Sequence, residues 1–217
     1  MSRHFQHELD QLKRDVLVMG GLVEGAAKRA VRAFLDRNGE DAVVVIDGDA
    51  EVDALELRIE EECLKLLALY GPTAKDLRLV VGAFKITNDL ERVGDLAVNI
   101  SERARAAESG ERRHGAEEVE EMAERVRTML HEALDAFVQG NADAAREVLA
   151  MDDRVDELLR LVYDHQQEAV RRDPAYFPTA LRIISTAKQL ERIADHATNV
   201  AEDVIYMVEG TVVRHSI

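Results

Sequence analysis

Glu91, Asp95, Asn99 and Glu102 follow one another at steps of four, four and three residues, and Glu191, Asp195, Asn199 and Glu202 do the same. At 100° per residue such a series falls within about 80° of arc, so on a helix each set lines one face, with Asn88 inside the arc of the first. An ordinary solvated face places Lys or Arg four residues after Glu. Here Asp follows Glu, a like-charge pair that costs an isolated helix roughly 0.2–0.5 kcal/mol. A destabilising arrangement written twice points to something positive held against it. Carboxylate and amide oxygens without thiols or paired histidines are hard ligands, suited to Mg, Mn, Ca or ferric iron more than to structural zinc. Asp49 with Asp53 and Asp152 with Asp156 add two pairs on the flank of another apolar seam, where they reach a neighbouring helix. The plain alternative is a solvated face or helix-capping acids. His196 is a candidate nitrogen ligand, and its plain alternative is a packing or surface histidine.

The elements that carry these residues are duplicated. Ala30 to Phe34, Asn38, Asp49, Val52, Asp53 and Leu55 return 103 positions later as Ala133 to Phe137, Asn141, Asp152, Val155, Asp156 and Leu158. Leu90 to Asp95 with Ala97 and Asn99 returns after 100 as Leu190 to Asp195 with Ala197 and Asn199. Two blocks in one order mean an internal repeat, and the change of three residues predicts a shorter connection near Asp173-Pro174 than near Gly71-Pro72. The repeat predicts domains at 1–108 and 116–217, joined by a polar, glycine-bearing linker at 109–115.

Each half reads as three helices. Phe5, Leu9, Leu12, Val16, Met19, Val23, Ala26 and Ala30 line one face of the first, which runs to about Arg37 and stops at Asn38-Gly39. Val45, Val52, Leu55, Ile59, Cys63, Leu66 and Leu69 line the second, which ends at Gly71-Pro72. Thr73 to Asp76 looks like a capping box for the third, whose seam is Leu79, Ile86, Leu90, Val93, Ala97 and Ile100. The second half repeats the scheme, with Phe137 in the place of Phe34. The predicted class is all-α: two pseudo-symmetric three-helix bundles, six long helices in all. The acids lie opposite Leu90, Val93 and Ala97, so they face outward. Val80, Phe84, Ala180 and Ile184 share the acidic side and form either local packing or an apolar patch for a partner.

Composition narrows the function. The 217 residues carry 28 Lys and Arg against 43 Asp and Glu, a net charge of −15, which argues against nucleic acid and anionic lipid as partners. Aromatics are 4%, with no Trp and three Pro, which favours helices over sheet. A single cysteine, Cys63, fits a reducing compartment and a buried apolar role. Met1 to Leu9 is polar, so no signal peptide is expected, and no apolar run approaches the ~18 residues of a membrane span. The expectation is a cytoplasmic protein without an integral membrane segment. Ser101, Ser109 and Ser185 sit in no nucleophile motif and no glycine-rich loop follows a strand, so no enzyme is expected. A di-iron carboxylate oxidase would need inward Glu residues and Glu-x-x-His motifs, and the sole such spacing is Glu111 to His114, in the linker. A structural helical scaffold or chaperone accounts for the apolar stripes but not for the duplicated acids.

Asn88 to Asp95 and Gln189 to Glu202, one at the third helix of each half, resemble the PhoU family of phosphate-signalling regulators. The likeness extends over nearly the whole chain, including the Asp-x-x-Val-Asp element of each second helix and the Gly71-Pro72 turn. It implies two related three-helix bundles and surface metal clusters held by Glu/Asp-x-x-x-Asp pairs. Here those pairs are Glu91 with Asp95 and Glu191 with Asp195. The metal would be Fe, Mn, Mg or Zn. The resemblance also implies a cytoplasmic negative regulator joining a phosphate ABC transporter, through its ATPase subunit, to a sensor histidine kinase. The sequence leaves the oligomeric state open, a homodimer included. One departure stands out: Leu96 and Val98 occupy the positions of His196 and Thr198, so the first site is poorer in ligands.

Overall fold

The computed structural model describes residues 3–105 and 115–213. They form six long helices: α1 (Arg3–Asp36), α2 (Gly39–Tyr70), α3 (Ala74–Arg105), α4 (Ala116–Gln139), α5 (Ala142–Arg172) and α6 (Phe177–Glu209), with a 3-10 turn at Pro174–Tyr176 before α6. No strand occurs among the described residues. The predicted linker lies outside them except for Gly115.

The turns show the duplication residue by residue. Asn38 caps α2, its side chain accepting from the Glu40 and Asp41 amides, and Asn141 caps α5 by accepting from Asp143 and Ala144. Such a cap satisfies amide donors that a helix start leaves unpaired. The residue before each cap is left-handed. In the second half it is Gly140, at φ +62°, and in the first it is Arg37, at φ +56°, where a side chain costs roughly 1 kcal/mol. Gly71, at φ +50°, closes α2 with its amide on the Leu67 carbonyl, and Pro72 prevents continuation. Residues 71–73 have no counterpart in the second half, where Asp173 leads directly into the 3-10 turn. That accounts for the change in repeat spacing. At the start of α3 a backbone bond from Asp76 to Thr73, 3.2 Å, stands where the sequence suggested a capping box.

Helices α1, α2 and α3 pack on one another, as do α4, α5 and α6, and the halves join through α3 against α6 and α1 against α4. Gly20 allows the second contact, since a Cβ there would stand 2.4 Å from Leu134. Phe34 and Phe137 are both buried, at equivalent positions. Helices α3 and α6 bury the most residues because each faces its own bundle and the other half. Leu69 departs from the expected seam and is 67% exposed. It lies about 60° from Leu66 around the helix, and Tyr70 takes the last contact with α1, 4.8 Å from the Phe5 ring centroid.

Candidate functional site

The duplicated acids meet in two crevices on the outside of the bundles, one between α2 and α3 and one between α5 and α6. Helix α3 brings Glu91 and Asp95 to the first, and α2 brings Asp49 and Asp53. The arrangement is electrostatically tense. Asp49 lies above the usual carboxylate range, first because burial desolvates it and then because Asp53 and Asp95 face it. Glu91 is raised by burial and then by Asp95, Glu56 and Asp53, while Arg92 pulls it back. Arg92 forms direct ion pairs with both acids of α3, 3.3 Å to Glu91 and 3.1 Å to Asp95. Gly94 keeps the helices close, since a Cβ there would lie 3.2 Å from Asp49 Oδ1.

In the second crevice Asp152 and Asp156 from α5 face Glu191 and Asp195 from α6. Burial, then Asp195, Asp156 and Asp153, push Asp152 up to about 6. Glu191 is raised by burial and by Asp195, Asp156 and Asp152. Burial also raises Asp195, against the opposing pull of His196 and Arg192. Among the described residues no direct ion pair neutralises these four carboxylates. Low solvation and like charge both favour the protonated form, and a cation would relieve both. Neither crevice is a finished cage: among the described residues no group of three His, Cys, Asp or Glu side chains is arranged to hold a metal ion.

The asparagines do not join the carboxylates in the same way. Asn99 donates to the Asp95 backbone carbonyl, 2.8 Å. Asn199 donates across the molecule to Asp89 Oδ1, 3.2 Å, and His196 Nδ1 meets the same oxygen at 2.8 Å. His196 therefore tethers the two halves. Asn88 donates to its own helix at Phe84, Glu102 is exposed, and Glu202 lies beside Lys85 and Tyr206. The apolar side group divides as well. Val80 and Ala180 are buried, while Phe84 and Ile184 are partly buried against the core, so local packing accounts for it.

Two features went unread in the sequence. Glu56, three residues after Asp53, adds an acid to the first crevice and is raised by burial, Glu60 and Asp53. Its phase was a readable signal. The other is a polar layer between α3 and α6: Lys85 holds the buried Asp203 at 2.9 Å, and at the symmetric place Arg103 donates to Ser185 Oγ at 2.7 Å. Its residues lie far apart in sequence and follow no motif. Buried Cys63, whose thiol is pushed up to about 12 by burial and by Glu62 and Glu60, is an inert core residue. The di-iron alternative fails on position, since the duplicated acids line outer crevices and, among the described residues, the one fully buried carboxylate, Asp203, is held by Lys85.

No helix among the described residues is long and apolar enough to cross a membrane. A sequence profile described as "PhoU domain" matches residues 16–104 and 119–204, one match in each half. A phosphate-specific transport system accessory protein PhoU homolog of Pseudomonas aeruginosa is 40% identical over 216 residues, covering 99% of this chain and 89% of that protein. The crystal structure of PhoU from Pseudomonas aeruginosa superposes with a TM-score of 0.90 at 39% identity, covering 95% of this chain and all of that one. That of the phosphate transport system regulatory protein PhoU from Streptococcus pneumoniae gives 0.87 at 27% identity, covering 96% and 98%. The two-repeat fold and these near full-length likenesses agree, and the chain belongs to the PhoU family.

Proposed function

We propose that this protein is a non-catalytic, cytoplasmic regulatory accessory of a phosphate transport system. It restrains phosphate-starvation signalling by linking the ATPase subunit of a phosphate ABC transporter to a sensor histidine kinase. The observation that carries the reading is the match along 99% of the chain to a protein named as a phosphate transport accessory, with both repeats included. The outward acids and the lack of a nucleophile motif agree with a protein that works by contact.

The same proposal assigns a metal ion to the crevice between α5 and α6, held by Glu191 and Asp195 with Asp152 and Asp156. Their all-oxygen donor set fits Mg, Mn or ferric iron, with Zn the poorest match. The carboxylates are partly open to solvent, so their side chains are free to change rotamer around an ion.

Affinity capture from cells grown with and without phosphate tests the partners, alongside a phosphate-starvation reporter in a strain lacking the gene. Recovery of the transporter ATPase and the kinase, with reporter expression in rich phosphate only when the gene is missing, is the expected outcome. A silent reporter in the deletion strain would end the regulatory reading. For the metal, Glu191→Gln with Asp195→Asn keeps shape and removes two charges. Elemental analysis should show metal in the wild type and little in the variant, with helicity unchanged; equal content in both overturns the assignment.

A further inference from the structure

Helix α2 is apolar on two sides, and among the described residues only one of them is packed against the rest of the protein. Val52, Leu55, Ile59, Cys63 and Leu66 enter the core. On nearly the opposite side Val43, Ala50, Ala54, Leu57, Leu64 and Ala68 face solvent. Val43 is 41%, Leu57 66% and Leu64 60% exposed. With Asp47 and Glu61 between them these positions run at alternating steps of three and four, which is the spacing of a seam that receives another helix. The stripe extends about 37 Å at 1.5 Å per residue. A helix with one face in the core normally carries polar residues on the other, so a second apolar stripe is an exception.

The repeat supplies an internal control. At the same positions on α5, 103 residues on, stand Arg146, Asp153, Glu157, Arg160, Gln167 and Arg171. The fold therefore does not require an apolar outer face on its second helix, and of these two equivalent helices α2 carries the stripe and α5 does not.

Charge selects the occupant. Helix α2 holds ten acidic and two basic residues. Both cations are engaged within the chain, Arg58 with Asp15 at 3.2 Å and Lys65 with Glu62 at 3.1 Å. Asp53 and Glu60 flank the stripe on one side and Glu51 on the other, with Asp47 and Glu61 inside it. A second copy laid along α2 would bring two such acidic rims together, and an anionic bilayer would meet the same repulsion. We infer that the outer face of α2 is a docking surface for a basic amphipathic helix of a protein partner, with apolar residues in the seam and Lys or Arg along both edges. This surface is independent of the metal assignment and of the transporter reading.

The full-length protein tests it by fluorescence anisotropy. The probes are a 25-residue helical peptide with Leu at seam positions and Lys beside them, its counterpart with Glu for Lys, and a scramble of the Lys peptide. The Lys peptide should bind, the Glu peptide should not, and the scramble should bind at least about tenfold more weakly. Leu57→Asp and Leu64→Asp should each weaken the Lys peptide by about tenfold with the far-ultraviolet dichroism unchanged, while Leu181→Asp, at an exposed apolar site on α6, should leave it alone. The inference is overturned if the Lys peptide does not bind, if the scramble binds equally, if Leu57→Asp binds as wild type, or if Leu181→Asp does equal harm. A dimer in sedimentation that Leu57→Asp dissolves would assign the face to a second copy and overturn it too.

Discussion

The crevice between α2 and α3 and the crevice between α5 and α6 descend from one pattern, with Leu-Glu-Arg on the third helix and paired aspartates on the second. They share geometry but not electrostatics. In the first, Arg92 lies on both Glu91 and Asp95, and Glu56 brings an extra acid. In the second, Leu159 replaces Glu56, Arg192 acts on Asp195 only through space, and Asp152 is pushed up to about 6. Duplication preserved where the side chains stand. What neutralises them diverged, and the unneutralised crevice is the one with more to gain from a cation.

If the halves are equivalent in their cores and different only at their surfaces, core substitutions must hit both alike. Phe34→Ala and Phe137→Ala should each cost roughly 3–5 kcal/mol in thermal or denaturant unfolding, as for other buried aromatics. A large loss for one and little for the other would break the equivalence. The layer between the halves should respond unequally. Lys85→Met removes the ion pair on the buried Asp203 carboxylate and should cost about 2–3 kcal/mol, while Arg103→Met gives up bonds to the neutral Ser185 hydroxyl and the Asn99 carbonyl and should cost about 1 kcal/mol. Equal losses in urea titrations would show that the Lys85–Asp203 pair contributes no more than the Arg103 bonds do.

The helices, their order and the repeat were legible because each element has one apolar stripe at a period near 3.6, and because Asn38 and Asn141 recur at the caps. The two carboxylate pairs of each crevice were legible too, since a spacing of four places each pair on one face of its own helix. Legibility failed where partners come from other elements. His196 read as a packing or surface histidine before a ligand, and it is a satisfied one, but its partner Asp89, 107 residues away, could not be named from the sequence. Asn99 and Asn199 sit at one repeat position yet bond differently, since α3 offers its own carbonyl to the first and the other half offers a carboxylate to the second. Leu69 read as core from its type, although its angle turns it outward.

A smaller effect separates the crevices by pH. Asp152 in the folded protein holds its proton more tightly than its ordinary value of 3.8 allows in the unfolded chain. The native state thus binds more protons between about 4 and about 6, so its contribution to stability is complete below that window and is lost as pH rises through it. Asp152→Asn, measured after chelation, should raise stability at pH 7.5 by roughly 1 kcal/mol, once solvent screening of a half-exposed group is allowed for, and should change little below pH ~4. Asp49→Asn should follow the same sign with a smaller amplitude, since Asp49 is raised less. An equal response from both would erase the distinction between the crevices.

The smallest change in stability should come from Arg92→Ala, yet it tests the comparison most directly. Arg92 is an exposed side chain whose ion pairs with Glu91 and Asp95 contribute between about 0 and 1 kcal/mol, so the melting curve should barely move. What it removes is the built-in counter-ion of the first crevice. Without it, Glu91 and Glu56 lose the one neighbour that holds their carboxyls down, and the cluster comes to resemble the second crevice in charge. The measurement is manganese bound per chain, made in a Glu191→Gln, Asp195→Asn background so that the second crevice is silent. Adding Arg92→Ala should raise manganese uptake, and adding Asp95→Asn as well should remove the gain. If uptake stays flat, Arg92 is not what separates the two crevices, and the difference must lie in Leu159 against Glu56 or in the closer approach that Gly94 permits.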